Sequence, residues 1–258
     1  MPDPTRIAPP LVSTPAQPDP SPSAPAALPS EAAWYNRHYQ AVQQGMPPWY
    51  RFLLPELRPL LRPGMQLFEA GCGQGHILRQ LVAEGRLAED QIHGIDQSQT
   101  AVDFLRARLP RARLLVMDLN RLEFPEASFD VVLLMETIEH LADPAPALNG
   151  IARVLKPGGT LFLSFPNYLH LPWWLVRVLA EKLNHPNWIV LQPIDQIYTV
   201  CGVVKRVQSA GLRFEGGSGS IYGPPVLYQW EPDALTTLLN RLRLYWASFH
   251  PILRFRKP

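Results

Sequence analysis

The sequence predicts an α/β fold built on a doubly wound, mostly parallel sheet, and three observations carry that prediction. Short apolar runs at 65–70, 92–96, 114–119 and 129–135 alternate with segments whose apolar residues recur at helical spacing. The run Phe129–Met135 is apolar almost throughout, as a parallel strand covered on both faces should be. The first run breaks into Gly71, Gly73 and Gly75, and a helical pattern through Ile77, Leu78, Leu81 and Val82 opens directly on those glycines.

A chain of 258 residues accommodates one such domain with a full core, plus decoration. A formal charge of +2, with 18% charged residues, sets up no global field that would call for nucleic acid. Cys72 and Cys201 lie far apart and offer neither a disulfide framework nor metal-ligand spacing. No basic stretch followed by an apolar core opens the chain, and no uncharged apolar run nears the ~18 residues of a membrane span. The expectation is a cytoplasmic protein.

Residues 1–30 hold 10 of the 29 prolines and three charged residues. Such a composition buries too little apolar area to offset its ordering entropy, which predicts a disordered tail ahead of a folded domain at 31–258. Ser30 is expected to cap a helix that carries Trp34, Tyr35, His38, Tyr39 and Val42 on one face. Packing on the core is the expected role of that face; a lid over a ligand pocket is the other reading. A second short helix over 49–61 completes the segment 31–62, and Arg62-Pro63-Gly64 turns into the first strand.

Leu67 to Leu78 then forms a strand, a glycine turn and a helix start, which together make a ligand cradle. Gly71 and Gly73 allow close approach of backbone to a ligand, and the helix start leaves N–H groups free for an anion or carboxylate. Dinucleotide sites favour G-x-G-x-x-G; here the third glycine comes one residue early and His76 follows it. Ile92–Asp96 ends in an acid 25 residues after Gly71, suited to ribose hydroxyls, and Ser98 can cap the next helix. The third strand closes on Asp118. Glu136-Thr137-Ile138-Glu139-His140 follows the fourth, at the edge where open α/β sheets bind ligands. A helix through Ala147, Leu148, Ile151, Val154 and Leu155 leads to Lys156-Pro157-Gly158-Gly159 and a fifth strand at 161–165.

Glu69 with Gly71, Gly73 and Gly75, the strand-terminal acids in order, and the Lys-Pro-Gly-Gly turn together resemble the class I S-adenosylmethionine-dependent methyltransferases, in their small-molecule, ubiquinone-biosynthesis-like (type 11) branch. The resemblance covers residues 34–165 well and 195–215 fairly. It implies a Rossmann-like seven-stranded sheet, mostly parallel with an antiparallel last strand, and S-adenosylmethionine as cofactor. It also implies that Glu69, Gly71, Cys72, Gly73 and Gly75 hold the methionine end, that Asp96 takes the ribose, and that Asp118 and Leu119 take the adenine. Gln97 and Met135 complete the cofactor set. The implied partner is a small apolar or aromatic acceptor, with its hydroxyl favoured for methylation and no nucleic acid expected. An NAD(P)-dependent oxidoreductase and a non-catalytic S-adenosylmethionine-binding subunit remain as the alternatives.

Methyl transfer is an in-line displacement, so positioning supplies much of the catalysis, and a base must take the acceptor's proton. His140 is the best-placed candidate, with Glu136 beside it; the plain alternative is that His140 packs and hydrogen-bonds a backbone group. Glu136, Glu139 and His140 also resemble the metal-binding segment of the small-RNA 2′-O-methyltransferases and of ubiquinone-pathway enzymes. Those families carry a further His where Ile194 stands, so no metal is expected here.

The segment 166–200 is an insertion after the fifth strand, where the family places a cap over the acceptor. Trp173, Trp174, Leu175, Val176, Val178, Leu179 and Leu183 are apolar nearly all round it, which fits a buried cap helix or shallow contact with a membrane surface. The remainder, 201–258, is read as the end of the sheet. Its parts are a helix from Thr199 stopped by Gly211, a glycine-rich loop or bulge at 214–225, a helix at 235–246 and a last strand at 252–256. Residues 241–258 carry five basic residues and no acid, expected to form a solvated face, with attraction to anionic lipid as the lesser reading.

Overall fold

A computed structural model of the chain describes residues 31–41, 50–168, 170, 174–175, 178–179, 182, 193–222 and 232–258. The expected tail at 1–30, the Ser30 cap, Trp173 and most of the 166–200 insertion lie outside the described residues.

The elements are α1 (Glu31–Ala41), α2 (Tyr50–Leu57), β1 (Leu67–Ala70), α3 (His76–Ala83), β2 (Ile92–Asp96), α4 (Gln99–Arg106), β3 (Arg113–Val116), β4 (Phe129–Met135), α5 (Ala145–Val154), β5 (Leu155–Ser164), α6 (Val200–Ser209), β6 (Arg213–Ser220), α7 (Asp233–Arg241) and β7 (His250–Arg256). The strands form one seven-stranded sheet in the order β3-β2-β1-β4-β5-β7-β6. Pairs from β3 to β5 are parallel, and β7 runs antiparallel to both β5 and β6. The chain reverses its direction of winding between β1 and β4. That switch point is where such sheets bind ligands.

Period-two alternation builds the two faces. Phe68, Val132, Leu134, Leu161, Leu163, Leu253 and Phe255 point to one side, where residues of α5 and α6 cover them. Leu67, Val131, Leu133, Met135, Phe162 and Ile252 point to the other, under α2, α3 and α4. Both faces of β4 are therefore buried, the reason its sequence is a continuous apolar run.

Several boundaries differ from the sequence reading. The third strand ends at Val116, short of the expected 119, because the Asp118 carboxylate accepts from Asn120 N–H and starts a one-turn 3₁₀ helix at Leu119–Arg121. The helix expected over 235–246 breaks at Arg243, whose φ is 56°. Gly216, Gly217 and Gly219 sit inside β6, and its register against β7 shifts between Phe214 and Gly216, as at a bulge. Glu136 to His140 is a single 3₁₀ turn (Ile138–His140) and not a helical face.

Candidate functional site

A cavity of about 350 Å³ opens at the carboxyl ends of β1, β2 and β4. Gly71, Asp96, Gln97, Asp118, Leu119, Glu136 and His140 border it, so seven of the twelve residues picked from sequence meet there. Glu69, Cys72, Gly73, Gly75 and Met135 stand behind its wall.

The glycine turn supplies the floor. Gly71 N–H and Cys72 N–H both donate to Ile95 O, at 2.9 and 2.8 Å, which pins the turn to the end of β2. Gly75 takes φ 64° as it starts α3, and a Cβ there would stand 2.5 Å from Leu105 of α4. A close helix approach demands glycine at that point. The space beside Gly73 was expected to be left open for a ligand. Instead the Tyr39 hydroxyl fills it, 2.7 Å from where a Cβ would lie.

Asp96 organises this floor. Its Oδ2 accepts from Gly73 N–H and its Oδ1 from Ser98 N–H, both at 2.8 Å. Burial raises its carboxyl above the ordinary value, while these backbone donors pull the other way. Glu69 lies beneath, 4% exposed, and its Oε2 has no hydrogen-bond partner among the described residues. Burial, then the nearby Asp96 charge, pushes the Glu69 carboxyl up to about 8. A buried carboxylate oxygen left unpaired beside a second acid fits a cationic group, such as the ammonium of an amino acid. Asp118 is exposed on the cavity rim, next to buried Leu119.

Two picks point into the protein. Met135 packs among the core side chains on the α2–α4 side, and its carbonyl accepts from Thr137 Oγ1 at 2.9 Å. Cys72 is buried with its Sγ against Gly94, and burial pushes its thiol well up, so it stays protonated and unreactive. Both lie at strand or turn positions where alternation sends the side chain inward.

The α1 helix contributes Tyr35, His38 and Tyr39 to the cavity wall, and Asn36 ties it down. Asn36 Oδ1 accepts from Ser98 Oγ at 2.7 Å and Thr100 N–H at 3.2 Å. The aromatic face expected to pack on the core therefore borders the cavity, as the lid reading required.

His140 stands on the opposite wall. Its Nδ1 is 2.9 Å from Ile194 O, and a carbonyl only accepts, so Nδ1 carries the hydrogen and Nε2 holds a lone pair. Burial lowers its pKa below the ordinary histidine value, which keeps the ring neutral. Ile194, which stands where the resemblance places a further metal-ligating histidine, thus acts through its backbone. Glu139 is buried behind His140, its Oε1 3.6 Å from Nε2, and burial with the Glu136 charge pushes its carboxyl well up. Glu136 Oε1 accepts from Ser164 Oγ at 2.6 Å, and His250 Nδ1 lies 3.0 Å from Oε2. Among the described residues no three His, Cys, Asp or Glu side chains converge on a metal-sized point. Sequence reasoning missed Ser164 and His250; they are distant in the chain and no motif marks them.

Residues 68–163 match the methyltransferase domain family. A Mycobacterium tuberculosis protein named as an S-adenosylmethionine-dependent methyltransferase is 36% identical over 137 residues, which are 53% of this chain and 44% of that relative. The chain thus spans less than half that relative's length. The ubiquinone biosynthesis O-methyltransferase of Thiobacillus denitrificans is 29% identical over 70% of this chain and 78% of its own. Among solved structures, the complex of the Haloferax volcanii Trm112 methyltransferase activator with a methyltransferase matches at 20% identity. It covers 89% of this chain and 98% of the matched one, with a TM-score of 0.58.

Strand order, glycine turn and domain match agree: residues 68–163 match a methyltransferase domain, within a sheet and glycine turn of the kind expected for an S-adenosylmethionine-dependent methyltransferase. The Mycobacterium and Thiobacillus relatives are both named as methyltransferases, which favours that class over a nicotinamide oxidoreductase. Within the class it is similar to the small-molecule branch that includes the ubiquinone-biosynthesis O-methyltransferases.

Proposed function

We propose that the protein transfers a methyl group from S-adenosylmethionine to a protic group, a hydroxyl first, on a small, largely apolar or aromatic acceptor. The observation that supports this most is His140: neutral, on the cavity wall, with Nδ1–H engaged by Ile194 O and Nε2 bearing the lone pair. The residues present fit the cofactor. Unpaired Glu69 Oε2 suits its ammonium, Asp96 the ribose hydroxyls, and Asp118 with the Leu119 backbone the adenine edge.

S-adenosylmethionine supplies an electrophilic methyl on a sulfonium, and the chain supplies position and a base. Tyr35, Tyr39 and Thr137 narrow the cavity around the reacting groups and hold the acceptor oxygen in line. Glu69, Asp96 and Asp118 would hold the cofactor that supplies the methyl group, while His140 Nε2 would take the acceptor's proton. Its lowered pKa then returns that proton to water readily. Turnover of labelled methyl donor on phenolic, isoprenoid and sugar acceptors tests this, together with calorimetry against S-adenosylhomocysteine and NAD(H). Binding of NAD(H) alone would overturn the reading; homocysteine-product binding without turnover on any acceptor would leave a cofactor-binding subunit.

A peripheral membrane role is the second reading, favoured by the exposed stripe Leu235, Leu238 and Leu242 with Trp246, flanked by Arg241 and Arg243. No described helix is long and apolar enough to cross a membrane. Co-sedimentation with anionic liposomes, lost in Leu238→Ser with Trp246→Ser, tests it.

A further inference from the structure

Among the described residues that border the cavity, Glu136 alone holds a left-handed backbone without being glycine, at φ 48°. Such strain persists at a site only when the surroundings over-determine it. Here they do. The antiparallel β7 starts at the sheet edge where parallel β4 and β5 end, so His250 arrives beside Met135 and Ser164. Ser164 Oγ donates to Glu136 Oε1 at 2.6 Å, and His250 Nδ1 lies 3.0 Å from Oε2. Glu136 N–H in turn faces Ser164 O and Oγ, both at 3.2 Å. Ser164 and His250 are buried, while Glu136 reaches the cavity. A carboxylate has about four acceptor positions, so each clamped oxygen keeps capacity for one more donor.

The charge around it is one-sided. No Lys or Arg is among the described residues lining the cavity, and Glu31, Asp96 and Asp118 add three more carboxyl groups. The two histidines there, His38 and His140, are kept neutral by burial. A carboxylate or phosphate on the acceptor would enter without a counter-charge and beside acids, an unfavourable placement in a partly desolvated site.

We infer that Glu136 sets the charge of the acceptor. The site takes a neutral or cationic molecule that donates an O–H or N–H to Glu136 and turns away carboxylates and phosphates. Ser164 and His250 are positioning residues that aim the carboxylate. This inference rests on the methyltransferase reading.

Calorimetry on the full chain loaded with S-adenosylhomocysteine tests it with matched pairs: phenethylamine against phenylacetate, and catechol against a catechol carboxylate. The amine and the neutral catechol should bind at least about tenfold tighter than their acid partners, because like charges meet in a partly desolvated site. Glu136→Gln should erase that preference. Ser164→Ala and His250→Ala should weaken amine binding several-fold with S-adenosylhomocysteine affinity intact, and Ser164→Thr, which keeps the hydroxyl, should restore the first. Should Glu136→Gln not fold, the Ser164 and His250 variants carry the same comparison. Acids that bind as tightly as their partners, no binding by any member to the loaded protein, or a preference that survives in Glu136→Gln would overturn it. Failure of S-adenosylhomocysteine to bind the unaltered protein strikes the methyltransferase reading instead.

Discussion

At the end of β2, Asp96 bonds to backbone of the adjoining turns. Asp96 meets Ser98, two residues on, and Gly73 in the turn beside it. Across β4, β5 and β7 the opposite holds. Glu136 meets Ser164, 28 residues away, and His250 near the chain's end, while His140 relies on a carbonyl 54 residues on. On the methyltransferase reading, the first half is the proposed cofactor cradle, assembled by turns, and the second the proposed acceptor wall, assembled by topology. A locally built half reads from sequence, and a topologically built half does not.

The largest effect is expected on the acceptor side. His140→Gln removes the base and should lower kcat by about 10²–10⁴, as loss of a general base does, with S-adenosylhomocysteine affinity unchanged. In the parent protein the acid limb of kcat/KM should fall below pH 6.5, since burial lowers the pKa of His140. A limb above that value would sink the assignment.

On the cradle side, Asp96→Ala strips the acceptor from two backbone N–H groups. Cofactor-product affinity should drop by ~1.5–3 kcal/mol, with a lower melting temperature, because charge-assisted bonds to buried donors are lost. Calorimetry and thermal unfolding read the two parts. Gly75→Ala meets both a left-handed backbone and Leu105, and should cost ~1–3 kcal/mol in urea denaturation. If it costs nothing, the helix–helix approach is looser than its geometry implies.

Glu69 sharpens the contrast through pH. Its carboxyl is raised from 4.5 to about 8, so the folded protein holds a proton that the unfolded chain releases. Stability is then greatest below pH 4.5 and declines as pH rises through about 8. Glu69→Gln should flatten that decline, seen in denaturation midpoints across the range; an unchanged slope would place the titration elsewhere. The smallest effect belongs to Asp118→Ala. The residue is exposed, so stability should stay within ~0.5 kcal/mol, as for surface changes generally, with only a few-fold loss of cofactor affinity.

The strand-terminal acids Glu69, Asp96 and Asp118, the glycine turn and β4 were legible because each is a short-range pattern with a local physical cause. Apolar runs follow from burial on two faces, and turn glycines from dihedrals and close approach. The side chains of Cys72 and Met135 turn into the core, since a motif names positions and not side-chain directions. Alternation along a strand sends Met135 into the core on the α2–α4 side.

By itself the sequence determined the α/β class, the order of the elements and the glycine turn with its neighbouring acids, since these follow from periodicity and from residues adjacent in the chain. Only the tertiary structure decided that the α1 aromatics border the cavity, that Ile194 sets the His140 tautomer, and that Ser164 bonds Glu136 with His250 beside it. The reason is the reversal of β7. An antiparallel strand inserted between β5 and β6 delivers its first residue to the edge where its neighbour delivers its last, a meeting that no local pattern encodes.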